Sequence, residues 1–137
     1  MGTSLKLSVL TPEKRLLENL EVDEVTLPGS EGQIQILPGH AAMVGTLETG
    51  VFSYRKAGAL VDTGVVSTGF FQVTEDSLTL LAETLELRQG IDLERARRAQ
   101  KKAEEALKAA ELDPSSFRKY QLKLERALIR QQVAAKL

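Results

Sequence analysis

The chain contains no cysteine. That excludes disulfides, thiol catalysis and cysteine-ligated zinc, and it fits a reducing compartment. Histidine occurs once, at His40. With no cysteine partner and no evident triad around it, neither a metal centre nor a histidine base is expected. Long apolar runs are also missing. No stretch approaches the roughly 20 apolar residues of a membrane span, and the N-terminal residues lack the apolar core of a signal peptide. The expectation is a soluble chain that meets a membrane only indirectly, through a partner. Aromatics make up 4% of the sequence, and the C-terminal third offers only Phe117 and Tyr120 for stacking on bases. Glycine disappears after Gly90, and Pro114 is the only proline beyond it.

That last absence marks a seam. Before it, apolar residues alternate, as in Leu5, Leu7 and Val9, and Gly or Pro interrupts every few residues. After it, apolar residues recur at three and four. The charge changes sign as well: residues 1–91 carry 6 Lys/Arg against 12 Asp/Glu, and residues 92–137 carry 12 against 7. At 137 residues, this is one small acidic β module with a basic helical appendage, a body plus an arm.

Strands are expected at Leu5–Leu10, Leu16–Leu20, Glu21–Leu27 and Gly32–Leu37. Others follow at Leu47 through Val51–Tyr54, Ala59–Asp62, Val65–Thr68, Phe70–Val73 and Leu78–Ala82, with Pro28-Gly29, Pro38-Gly39, Gly58, Gly64 and Gly69 as punctuation. Short strands between turn signals argue for an antiparallel β-sandwich or flattened barrel. Asp92 is a natural N-cap for a first helix whose Ala96, Ala99, Ala103, Ala106, Leu107 and Ala110 share a face. Asp113-Pro114 stops it and starts a second helix, running to about Ala135. A short link between long helices implies an antiparallel hairpin. The fold class is therefore α+β, with a sandwich over residues 1–89 and a C-terminal antiparallel α-helical hairpin over 91–137.

Helix two carries two apolar lines, Phe117, Tyr120, Leu124 and Leu128 on one side and Leu122, Ile129 and Val133 nearly opposite. One line can pack on the alanine face of helix one. Alanine allows close approach but buries little area, at about 25 cal/mol per Å2, so the arm is built to detach.

The run Gly32-Gln-Ile-Gln-Ile-Leu-Pro-Gly-His-Ala-Ala-Met-Val44, with Leu47-Glu-Thr-Gly50 behind it, resembles the strand-turn segment of the ε subunit of bacterial F-type ATP synthases. The resemblance continues at Thr11-Pro12, Ser67-Thr68-Gly69-Phe70-Phe71-Gln72-Val73, Leu78-Thr79-Leu80-Leu81-Ala82 and Ile91-Asp92-Leu93-Glu94-Arg95-Ala96, in the family's order. It covers essentially the whole chain. Gln35 stands where the family often has Gly, and Ala42 where it often has Pro.

The Ile91–Ala96 run is similar to that family's nucleotide motif, which implies regulatory ATP binding by Asp92, Arg95 and Ala96, with Glu86 and Asp92 toward the adenosine. Arg95 and Lys102 lie one heptad apart at the edge of the alanine face, where a cation is partly desolvated, and Arg126 and Arg130 are i and i+4 on helix two. In a closed hairpin they converge on a polyphosphate, which the arginines bind bidentately. With no Walker A loop, ATP would be a ligand and not a substrate.

The resemblance further implies a non-catalytic central-stalk subunit, peripheral on the cytoplasmic face of the bacterial inner membrane, coupling proton-driven rotation to the catalytic head. The sandwich would clamp the γ subunit and sit on the c-ring, with Glu31, Gln33 and His40 as c-ring contacts. The extended arm would meet the catalytic α/β subunits through basic residues such as Arg118, Lys119 and Lys123 and inhibit ATP hydrolysis. Carboxylate pairs such as Glu83 and Glu86 show no catalytic placement, and no nucleophile–base pair, metal set or cofactor loop is evident. The competing reading is a free-standing β-sandwich adaptor whose basic arm binds an acidic protein or nucleic acid.

Overall fold

A computed structural model describes residues 4–109 and 113–135. The chain forms two compact units that divide between Leu87 and Arg88. Ala110, expected on the alanine face, lies outside the described residues.

The first unit is all β. Its strands are β1 (Leu5–Leu10), β2 (Arg15–Val22), β3 (Glu24–Gly29), β4 (Gly32–Ile36), β5 (Met43–Leu47), β6 (Gly50–Lys56), β7 (Ala59–Val66), β8 (Gly69–Thr74), β9 (Ser77–Ala82) and β10 (Leu85–Leu87). They form one continuous ladder, β10-β7-β6-β3-β5-β8-β9-β1-β2, with β4 on β3. Every pair is antiparallel except β1 with β9, which run parallel from Lys6↔Ser77 to Leu10↔Leu81. The ladder folds over its own inner face. Alternate residues such as Leu5, Leu7, Val9, Val25, Leu27, Phe52, Phe71, Leu78 and Leu80 are buried there in a single core, as period-two side chains of a sandwich must be.

Several expected boundaries shift. The break placed between Leu20 and Glu21 falls at Asp23, and β3 runs on through Pro28 to Gly29. Pro28 is tolerated because it faces Gln33 near the end of its ladder. Strand β5, from Met43, was expected only at Leu47. The strands expected at Ala59–Asp62 and Val65–Thr68 are one strand, β7, that ends at Val66. Gly64 is not punctuation within it. A Cβ there would sit 2.6 Å from the Glu86 carbonyl oxygen, so the missing side chain admits β10 alongside. Gly45 does the same for Phe71, whose ring would lie 2.5 Å from an added Cβ.

Polar side chains secure the turns. Ala57, at φ +53°, donates its N–H to the Asp23 carboxylate. The Thr84 N–H donates to Ser67 Oγ at 2.8 Å while the Ser67 N–H donates to the Thr84 carbonyl at 3.0 Å. Tyr54 is buried beside Phe52, their ring centroids 5.7 Å apart. Burial, and then the Asp62 charge, push the Tyr54 phenol above its ordinary pKa.

The second unit opens with a 3-10 turn, Arg88–Gly90, followed by α1 (Leu93–Leu107) and α2 (Pro114–Ala135). Asp92 caps α1, its Oδ1 accepting from the Arg95 N–H at 3.1 Å. Asp113 caps α2, with the Ser116 N–H at 2.7 Å and the Ser115 hydroxyl at 3.0 Å donating to Oδ1. These bonds, Ser116 first, hold the Asp113 carboxyl below its usual range. Pro114 takes the first helical position, where its missing N–H has no cost.

Candidate functional site

The hairpin brings one set of side chains together. Arg95, Ala99, Lys102 and Ala103 of α1 face Tyr120, Lys123, Arg126, Ala127 and Arg130 of α2 across a cleft of about 420 Å3. Five of these nine residues are cationic and three are alanine. Helical spacing explains the gathering. Arg95 and Lys102 are separated by two turns, as are Lys123 and Arg130, with Arg126 between the latter pair. The alanines keep the helices close and leave room between the longer side chains.

Arg126 and Arg130 are half-buried, while Arg95 and Lys102 are exposed and not partly desolvated as their spacing suggested. No carboxylate lines the cleft. The ion pairs Arg15–Glu18, at 3.1 Å, and Arg97–Glu94, at 4.0 Å, lie outside it. The Lys123 ammonium lies 5.6 Å from the Tyr120 ring centroid and that of Lys119 5.8 Å, within cation–π range.

The remaining candidates lie elsewhere. Asp92 spends one oxygen on its helix cap, and Ala96 is fully buried. Glu86 belongs to the β unit, on β10 opposite Val65. Glu31 occupies the two-residue turn into β4, and Gln33 is exposed on that strand. His40 lies in the turn leaving β4, its N–H donating to the Leu37 carbonyl at 3.1 Å and its Nδ1 2.8 Å from the Ala41 carbonyl oxygen. Strand β4 separates those two turns. Arg118, Lys119 and Lys123 are all exposed on α2, and of the three Lys123 also lines the cleft.

Two features were not anticipated. Of the Phe117–Leu128 line only Tyr120 lines the cleft, and the two ends stay 46% and 45% exposed. Buried Ala127 meets the alanine face instead, and Gln131 Nε2 donates to Gln100 Oε1 across the hairpin at 2.6 Å. The second is an apolar outer face on the β unit. Thr46, Phe70, Leu81 and Leu10 stand in one row across β5, β8, β9 and β1, with Phe70 58% and Leu81 50% exposed and Val44 beside them at 71%. The sequence does carry a signal for it. Phe70-Phe71 and Leu80-Leu81 are adjacent apolar pairs on strands, so one of each must point outward.

Residues 4–88 match the family described as ATP synthase, Delta/Epsilon chain, beta-sandwich domain, and residues 89–135 match its long alpha-helix domain. The chain belongs to the delta/epsilon chain family of ATP synthases. Over 136 residues it is 46% identical to the ATP synthase epsilon chain of Geotalea daltonii and 43% identical to that of Geobacter sulfurreducens, covering 99% of this chain and 97% of each relative. The fold matches a chain of the Euglena gracilis mitochondrial ATP synthase OSCP/F1/c-ring structure with a TM-score of 0.83 at 20% identity, over 96% of this chain and 82% of that one. A chain of the Tetrahymena thermophila central stalk/c-ring structure matches with a TM-score of 0.67 at 14% identity, over 96% of both. The subunit is thus an epsilon-type, non-catalytic member of a synthase complex, which disfavours the free-standing adaptor. No helix among the described residues is long and apolar enough to cross a membrane.

Proposed function

We propose that this epsilon-type subunit is a rotor element whose hairpin is a two-state brake, released by ATP. The observation that carries this is the five-cation cleft, whose lining is shared between α1 and α2 and therefore exists only while the helices are packed. A polyanion held there by Arg95, Lys102, Arg126 and Arg130 favours the closed hairpin through its differential affinity for the two states. Extended, the arm presents Arg118, Lys119 and Lys123 to acidic surfaces of the catalytic α/β subunits and blocks hydrolysis. In this reading Glu86 and Asp92 address the adenosine.

The sandwich clamps γ and rests on the c-ring, at the cytoplasmic face of the membrane, so that proton-driven rotation reaches the catalytic head. The exposed row of Phe70 and Leu81, with Val44 beside it, supports the γ clamp, because apolar groups so placed in a small domain call for a protein cover. Glu31 and His40, in the turns at either end of β4, and Gln33 on that strand are the proposed c-ring contacts. Isothermal titration of ATP into Arg126→Ala, Arg130→Ala tests the brake's sensor. Binding should fall at least tenfold, since charge-assisted contacts contribute about 1.5–3 kcal/mol each. Unchanged binding would remove the cleft from ATP sensing.

A further inference from the structure

We infer that the free subunit pairs with a second copy of itself through the outer face of β5, β8, β9 and β1, each copy's Phe70 entering a groove on the other. Two rows cross that face in register, Thr46, Phe70, Leu81 and Leu10, and then Val44, Gln72, Thr79 and Ser8. None of these eight residues is charged, in a chain that is 27% charged, and depletion of charge marks the centre of a protein contact. Residues 1–91 as a whole carry 6 Lys/Arg against 12 Asp/Glu. Two acidic bodies therefore repel on approach, and these rows add nothing to the repulsion.

Shape favours a second copy as the occupant. Phe70 stands 58% exposed beside a groove of about 810 Å3 whose apolar lining includes Leu10, Pro12, Leu47 and Leu81. A projecting ring and a hole on one face suit a twofold contact, because each copy then supplies both. An axis running across the strands also matches charge. Lys6, opposite Ser77, is the one charge in the third row, at the far end of the face from Glu48 and Glu83. Those two glutamates follow β5 and β9 and line the groove. Such an axis brings Lys6 of each copy toward the Glu83 end of the other. Among the described residues, none of the three has an ion pair within its own chain. At about 4.8 Å between strands and 3.3 Å per residue, three rows on four strands cover roughly 400 Å2 per copy, short of the about 800 Å2 that each partner buries in a stable complex. The pair is therefore weak and reversible. That lets γ take the same face in the assembled rotor, a step that rests on the proposed γ clamp.

The test is sedimentation velocity of the full chain from low-micromolar to near-millimolar concentration. The sedimentation coefficient should rise toward that of a dimer, and Phe70→Lys, at an exposed position, should stay monomeric throughout. Lys6→Glu should weaken pairing about fivefold, the upper end for one exposed charge pair, and adding Glu83→Lys to the same chain should restore it. A parent chain that stays monomeric at every concentration would overturn the pairing and leave the γ clamp intact. Pairing that survives Phe70→Lys would refute this face, and a Lys6→Glu loss without rescue would refute the twofold arrangement. Added γ subunit should dissolve the pair into a one-to-one complex. A pair that persists with γ bound would overturn the clamp on this face while the pairing stands.

Discussion

The Gln100–Gln131 bond is a directional contact in a hairpin interface rich in small residues, and it should act as a latch of the closed arm. Ala96, Ala103 and Ala127 are each at most 2% exposed, yet each buries only a methyl group, roughly 0.8 kcal/mol. A part-buried amide–amide bond contributes about 1 kcal/mol net, as much as any of those alanines. Gln100→Ala or Gln131→Ala alone should therefore lower the closed-to-open ratio about fivefold. The double variant should be little worse than either, giving a coupling of about 1 kcal/mol in the cycle. Because the chain has no cysteine, Lys101→Cys and Glu125→Cys, both exposed, can carry spin labels on α1 and α2. Pulsed distance measurements then count closed and open arms in each variant. Strictly additive effects, or an unchanged closed fraction, would refute the latch.

The body offers two further tests. Tyr54 keeps its proton more tightly in the fold than in the unfolded chain, so its contribution is intact below about pH 10 and fades as pH rises through the raised folded value. Tyr54→Phe should flatten the alkaline loss of stability in urea titrations, and an equally steep loss in both chains would refute this. Gly45→Ala places a methyl group 2.5 Å from the buried Phe71 ring. It should cost about 1–3 kcal/mol and lower the melting temperature by roughly 4–8 °C per kcal/mol. A melting curve that superimposes on the parent's would show that the ring can move aside.

What the sequence disclosed, and what it hid, follows from the range of the physics involved. Alternation found β1 and β4, turn punctuation bracketed β8 and β9, and capping chemistry found both helix starts, because each signal is local. Strand β5 was missed beyond Leu47 because Met43 and Val44 are both exposed apolar residues, which breaks the alternation. Strand β10 has only three residues, too few for any period. Gly64 resembled a turn because the close approach that requires glycine there comes from Glu86, far along the chain. In the hairpin, the spacing of Arg95, Lys102, Arg126 and Arg130 was visible as a pattern along each helix. Lys123 and Gln131 were not, since their roles depend on how the two helices rotate about their axes. Ala127, at the centre of that contact, was passed over because a single methyl adds little to any apolar line.

The parallel pairing of β1 with β9 has a consequence for how the subunit is made. Lys6 finds its partner Ser77 about seventy residues later in the chain, and pairing of such long sequence separation slows folding. On the ribosome, β1 and β2 can meet early, but the other side of β1 stays an open edge until β9 has emerged. The hairpin, whose contacts are local along the chain, needs no such wait. A subunit cut short before Ser77 would therefore expose a strand edge beside Leu5, Leu7 and Val9, the arrangement most prone to pair with another chain. The body is completed only near the end of its own synthesis, which makes truncated copies candidates for aggregation and clearance before they can reach a rotor.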